Sequence, residues 1–187
     1  MPGEPTAAML AAGDVLGRLV RDVPDFPAPG ILFKDITPLL AHPEGYRTVV
    51  AALADAGRGA DGRPLVDKVV GMEARGFLFG APVALALDVG FVPVRKTGKL
   101  PGETHAAAYA LEYGEAVLEV HSDGLMPGER VLVIDDVLAT GGTARATAEL
   151  VETCGAVVTG MAFLLELSFL AGRRAISDVP ITVLTVV

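Results

Sequence analysis

The chemistry-bearing residues are densest in Val131-Leu-Val-Ile-Asp-Asp-Val-Leu-Ala-Thr-Gly-Gly-Thr143, a branched apolar run, two acids, a loop of small residues and a helix start. Gly141 and Gly142 at a helix N-terminus let an anion approach backbone N–H groups at the positive end of the helix dipole. Thr140 and Thr143 add hydroxyl donors. Asp135 and Asp136 cannot hold phosphate, but they accept hydrogen bonds from sugar hydroxyls and can counter cationic charge on a ribose ring. At the C-terminal edge of a parallel strand they stand where open α/β sheets bind ligands. A strand ending in a capped helix is the plainer reading, since Asp and Thr are common there for local reasons. Two adjacent acids combined with Thr-Gly-Gly-Thr argue against it. No Gly-x-x-x-x-Gly-Lys-Ser/Thr loop is present and no dinucleotide-type Gly-x-Gly-x-x-Gly fingerprint is read, so NTPase and Rossmann readings lose their main support.

Two further loops carry cations. Gly71-Met-Glu-Ala-Arg-Gly-Phe-Leu-Phe-Gly80 follows a strand and opens a helix, which places Arg75 and Gly76 on a glycine-flanked turn. Arg95, Lys96 and Lys99 gather at the end of the next strand. A solvated charge run is the bland alternative. Two cationic loops at consecutive strand ends beside a phosphate loop favour pyrophosphate binding, because charge-assisted hydrogen bonds from Arg and Lys suit a polyanion.

The elements needed to position these groups are legible in the pattern. Tyr46, Val49, Val50, Leu53 and Ala54 keep helical spacing, so a helix is predicted over 44–57, with a weaker one over 7–20. The proline-rich stretch Val23–Pro38 is predicted to be a shaped loop. A strand at 68–72, a helix at 77–87 and a strand at 91–95 follow as a βαβ unit. Residues 106–121 alternate on both sides of Gly114 like a projecting hairpin. Val131–Ile134 reads as a strand buried on both faces, and 143–154 as the helix after it, closed by Gly155. Further strands are predicted at 157–165 and 181–187. The fold class is therefore α/β, a parallel sheet flanked by helices.

Composition bounds the function. The chain has 187 residues, 51% of them hydrophobic and 20% charged, enough for one domain with a buried core. A formal net charge of −8 argues against nucleic-acid binding, which needs a basic face. The single cysteine, Cys154, forms no internal disulfide, and His42, His105 and His121 are scattered, so no zinc spacing exists and a cytoplasmic setting is expected. No secretory signal is read at the start of the chain. The apolar stretch Phe77–Val94 is interrupted by Gly80, Pro82, Asp88, Gly90 and Pro93, so no membrane span is expected.

The segment Val131–Thr143 resembles the phosphoribosyl pyrophosphate motif of the type I phosphoribosyltransferases. Asp25–Pro38, Gly98–Glu103 and Ala110–Gly114 resemble the adenine phosphoribosyltransferase family in particular, and Glu166–Arg173 extends the similarity. The resemblance implies a type I fold with a projecting flexible hairpin and an N-terminal hood from residues 1–40 of a single 1–187 domain. It implies that Ala139, Thr140, Gly141, Gly142 and Thr143 cradle the ribose phosphate while Asp135 and Asp136 bind the ribose hydroxyls. Ile31, Leu32, Phe33 and Lys34 would lie over the purine, and Glu112 would handle its proton. Enzymes of the type I family that act on hypoxanthine and guanine usually carry an aspartate where this chain has Ala139. Mg²⁺ held mainly by substrate, a homodimer, and adenine plus phosphoribosyl pyrophosphate as substrates complete the implication. Two alternatives stay open: a regulator that senses phosphoribosyl pyrophosphate without transfer, and an enzyme for another base.

Overall fold

The computed structural model describes residues 6–110 and 115–187. They form two compact units, 1–52 and 53–187.

In the first unit, helix α1 (Ala7–Leu19) opens at Thr6, whose hydroxyl accepts from the Met9 N–H at 3.2 Å, and buries Ala12, Val15 and Leu16. Strands β1 (Arg21–Pro24) and β2 (Leu32–Asp35) then pair antiparallel. The predicted loop over 23–38 is thus largely a hairpin. Its strands are four residues long and neither has a fully buried position, which leaves no apolar alternation to read. Its tip is shaped by Asp25 at φ 57° and Gly30 at φ 85°, with the Gly30 N–H donating to Asp25 Oδ1 at 2.7 Å. The rings of Phe26 and Phe33 meet edge to face with centroids 5.1 Å apart. Asp35 accepts from the Thr37 N–H at 2.9 Å at the entry to the one-turn helix α2 (Thr37–Leu40). That bond and Arg21 hold its carboxyl at about 2. Helix α3 (Pro43–Asp55), whose last three residues belong to the second unit, starts where His42 Nδ1 accepts from the Gly45 N–H at 3.0 Å, and buries Val49, Val50, Leu53 and Ala54 at the predicted spacing.

The second unit is built on β3 (Lys68–Met72), α4 (Arg75–Leu87), β4 (Gly90–Lys96), β5 (Thr104–Ala110), β6 (Glu115–His121), β7 (Arg130–Leu138), α5 (Gly142–Thr153), β8 (Val157–Glu166) and β9 (Ile181–Val186). Two 3₁₀ turns, Ser168–Leu170 and Gly172–Ile176, lie between β8 and β9. The sheet order is β5-β6-β4-β3-β7-β8-β9. Strands β4, β3, β7, β8 and β9 are mutually parallel, whereas the β5–β6 hairpin joins antiparallel through two residue pairs, Arg95 with Glu119 and Lys96 with Leu118. The mixed α/β expectation is met.

Side chains alternate across a strand, and here the alternation sorts two faces. Val70, Met72, Val92, Val94, Val131 and Val133 share a core cluster with Ala144, Ala148 and Val151 of α5. On the other face, α4 lies so close that a Cβ on Gly76 would stand 2.8 Å from the Ile134 carbonyl oxygen, and one on Gly80 would stand 2.8 Å from the Phe91 ring. The sequence does contain the Gly-x-Gly-x-x-Gly spacing, at Gly57–Gly62. It lies after α3 and before β3, the reverse of the strand-then-helix order that a dinucleotide site needs. Among the described residues no helix is long and apolar enough to cross a membrane.

Candidate functional site

Strand β7 continues four residues past the apolar run, so Asp135 and Asp136 lie within it, with their carboxyls close enough to interact with each other. Asp135 lines a small cavity with Met72, Phe163, Ala139, Thr140 and Gly141. Asp136 belongs to the α4 face. Its side chain is 3% exposed, and Arg75 Nε, in the first turn of α4, lies 2.9 Å from its Oδ2 at ion-pair distance. That oxygen is buried without a well-aligned hydrogen bond. Burial pushes the Asp135 carboxyl well above the ordinary range and the charge of Asp136 adds to the rise, while the Asp136 N–H, donating to Asp135 Oδ1 at 2.9 Å, opposes it. Burial also raises Asp136, and the Arg75 guanidinium draws it back down.

The loop after β7 is organised by backbone. Gly141 precedes α5 at φ 84°, a conformation that favours glycine, and its carbonyl accepts from the Arg145 N–H at 2.9 Å. Ala139 and Thr140 form the turn, and Gly142 and Thr143 begin a 12-residue helix, whose first N–H groups have no intrahelical acceptor. The cavity is therefore bordered by this loop, with the hydroxyl-bearing Thr140 and Thr143, and by the carboxylate of Asp135, a pairing suited to a phosphorylated sugar.

The cationic loops are held by acids that the sequence reading did not single out. Glu73 Oε2 accepts from Arg95 Nε at 3.1 Å and from the Lys96 N–H at 3.0 Å, and its carboxyl is lowered against the cost of burial by the Lys96 and Arg95 bonds. Arg95 also donates to the Lys99 carbonyl at 3.1 Å. Glu119 on β6 accepts from the Thr97 hydroxyl and from the Gly98 N–H, the latter at 3.0 Å, so the turn carrying Lys96 and Lys99 is fixed at both ends. Lys96 and Lys99 are themselves exposed. Gly76 permits the close approach of Arg75 to β7, since a Cβ there would also stand 2.9 Å from Asp135 Oδ1. A signal for Glu73 was available, as an acid placed between a buried strand and an arginine turn. Glu119 lies 22 and 21 positions from Thr97 and Gly98, the residues it holds, beyond the reach of local spacing.

In the first unit, Ile31 and Leu32 are exposed, at 45% and 50%, and Phe33 packs on Phe26. Lys34 pairs with Asp22 at 2.7 Å. Glu112 lies outside the described residues. Among those described, no three His, Cys, Asp or Glu side chains gather as a metal cage.

Residues 35–186 match the phosphoribosyl transferase domain family. A curated adenine phosphoribosyltransferase of Nocardioides sp. is 68% identical over 169 residues, covering 90% of this chain and 91% of its own. The crystal structure of adenine phosphoribosyltransferase from Rhodothermus marinus is 50% identical with a TM-score of 0.87, covering 94% of this chain and 98% of its own. That of the Saccharomyces cerevisiae enzyme, complexed with an imino-altritol bisphosphate and adenine, is 41% identical with a TM-score of 0.88, covering 93% and 98%. Likeness at this level over nearly the whole of each chain extends to the fold, which is that of the type I phosphoribosyltransferases. At these identities over nearly the whole chain, the chain belongs to the adenine phosphoribosyltransferase family.

Proposed function

We infer that this protein transfers the phosphoribosyl group of phosphoribosyl pyrophosphate to adenine, giving AMP and pyrophosphate, as a step of purine salvage. One observation carries the reading of the site: donors of the Ala139–Thr143 loop and the acceptor Asp135 line one cavity, so a phosphate and the hydroxyls of the sugar bearing it find complementary groups together. Asp135 and Asp136 bind the ribose hydroxyls. The bond from the anomeric carbon to pyrophosphate breaks as an adenine nitrogen supplies its electron pair, and the proton on that nitrogen passes to Glu112. Carboxylates beneath the ribose offset the positive charge that develops on the ring.

Arg75, the Gly76 N–H, Arg95, Lys96 and Lys99 take the negative charge of the departing pyrophosphate. For Arg75 and Arg95 this means sharing with Asp136 and Glu73, their present partners. A hard cation that keeps most of its ligands from substrate phosphates and water needs only one or two protein carboxylates. Asp135, which borders the cavity, is the acid placed to supply such a ligand to Mg²⁺ held mainly by substrate. When bound, Mg²⁺ would neutralise the leaving group.

Ile31, Leu32, Phe33 and Lys34 contact adenine, as part of a hood from residues 1–40 within a single 1–187 domain. The exposed apolar side chains of Ile31 and Leu32 supply the surface for a purine. The protein works as a cytoplasmic homodimer; a lone unpaired cysteine suits a reducing compartment.

The test is an assay of the purified protein with phosphoribosyl pyrophosphate, Mg²⁺ and, separately, adenine, hypoxanthine, guanine, xanthine and orotate. Consumption of adenine alone with equimolar AMP and pyrophosphate is expected, and Glu112→Ala should slow it by about 10²- to 10⁴-fold. Consumption of another base, or binding of phosphoribosyl pyrophosphate with no turnover, overturns the assignment. An undiminished rate in Glu112→Ala removes the role given to that residue alone.

A further inference from the structure

We propose that the 3₁₀ turn Gly172–Ile176 is a strut that fixes the phosphate loop from behind, with Gly172 and Arg173 as positioning residues for phosphoribosyl pyrophosphate. The proposal rests on the activity inferred above, but its argument is local. A loop built from Ala139, Thr140, Gly141 and Gly142 has little side-chain bulk with which to lock itself, and glycines leave its backbone free to wander. Something else must aim its N–H groups, because a donor array misplaced by about 1 Å can cost about 100-fold in rate or binding.

The turn meets the loop backbone against backbone. A Cβ on Gly172 would collide with the carbonyl oxygen of Ala139 and stand 3.1 Å from the Gly141 nitrogen. Reciprocally, a Cβ on Gly141 would collide with the Gly172 carbonyl oxygen and stand 2.8 Å from the Ala175 Cβ. The two glycines therefore permit one contact from both sides.

The turn is itself anchored where the loop departs from the sheet. Arg173 Nε donates to both carboxylate oxygens of Glu166, at 2.9 and 2.8 Å, and that side chain is only 8% exposed. Glu166 ends β8 opposite Leu138, the last residue of β7, and the next N–H, of Leu167, donates to the Leu138 carbonyl at 2.9 Å. At the far end, Ile176 is buried in the core cluster with α5, and Asp178 pairs with Arg145 of α5 at 3.3 Å. Loop and strut thus share their fixings at β7, β8 and α5.

Steady-state kinetics of Gly172→Ala test the idea. The KM for phosphoribosyl pyrophosphate should rise about tenfold or more while the KM for adenine stays within about twofold. A merely destabilised enzyme would lose active molecules, lowering the apparent kcat and leaving both KM values alone. Arg173→Gln should move the same KM in the same direction, with Arg173→Lys recovering part of the effect by keeping a cation for Glu166. Unmodified protein supplies a readout that no folding defect can obscure: on saturation with phosphoribosyl pyrophosphate, hydrogen exchange should slow at amides 140–143 and 172–176 together. An unchanged KM for phosphoribosyl pyrophosphate in a folded Gly172→Ala or Arg173→Gln, or protection confined to 140–143, overturns the strut. Either result with wild-type turnover of adenine intact sinks the strut and leaves the activity standing.

Discussion

Asp135 and Asp136 are neighbours in the chain, yet they face different tasks. Asp135 borders the cavity with a carboxyl raised above its ordinary value, and Asp136 is buried against Arg75. A carboxyl raised in the folded state favours the protonated form, so its contribution to stability is full below the unfolded value of 3.8 and is lost as pH rises through the raised folded value. Ligand binding has the opposite sign, since ribose hydroxyls need an ionised acceptor. Calorimetry should therefore find phosphoribosyl pyrophosphate binding that tightens as pH climbs from the ordinary aspartate range toward neutral. Asp135→Asn keeps an acceptor for the Asp136 N–H and removes the buried charge. It should weaken that binding and flatten this pH trend, while raising stability at neutral pH. A variant less stable than wild type would contradict the assigned cause. The types and adjacency of these acids were legible in the sequence. Their place inside the strand was not, because β7 runs through them to Leu138 rather than stopping at Ile134. Nor were the partners of Arg75 and Arg95, since Asp136 and Glu73 meet them across sheet and turn, 61 and 22 positions away.

Elements whose burial is uniform were readable in the chain, and those shaped by mixed surroundings were less so. Strand β3, apolar from Val69 to Met72, falls on the predicted bounds. Helix α4 begins at Arg75, two residues earlier than its apolar pattern, because its first turn is defined by the approach to β7 rather than by side-chain burial. The β1–β2 hairpin and the 3₁₀ turns were missed, the first being short and rich in Pro, the second too short to carry a periodic pattern. The close approach at α4 has a measurable consequence. Gly76→Ala would force its methyl into the Ile134 carbonyl and Asp135 Oδ1, backbone and buried acid that cannot swing aside. Overpacking of this kind costs about 1–3 kcal/mol. Gly17 in α1 is the contrasting control. It is exposed, with nothing within 4 Å of an added Cβ, so Gly17→Ala should stabilise by up to about 1 kcal/mol through helix propensity alone. Urea melts of the two variants should move in opposite directions, and a common direction would mean that local glycine geometry does not set either value.

At the scale of the molecule, ligand occupancy and global stability ought to be linked through the second unit, because the phosphate loop opens the same helix that closes its core. Cys154 offers a native reporter. It follows α5, lies 8% exposed within the core cluster, and burial pushes its thiol up, away from the reactive thiolate. Its N–H donates to the Leu150 carbonyl at 3.1 Å, and Gly155, at φ 78°, completes the helix end with its N–H on Glu152. Labelling by an aromatic disulfide reagent should thus require opening of the unit rather than a side-chain rotation. A ligand that binds only the folded state stabilises it by RT ln(1 + [L]/Kd), about 2.7 kcal/mol at 100 times Kd. Where opening is fast and reversible, labelling at that concentration of phosphoribosyl pyrophosphate with Mg²⁺ should slow about 100-fold. Slowing of that size would place the site and the α5 core in one cooperative unit. Labelling that ignores the ligand would mean that the end of α5 frays on its own, at a free energy below that of global unfolding, and that the loop at its other end is held by the sheet and the 3₁₀ turn without help from the helix's last turn.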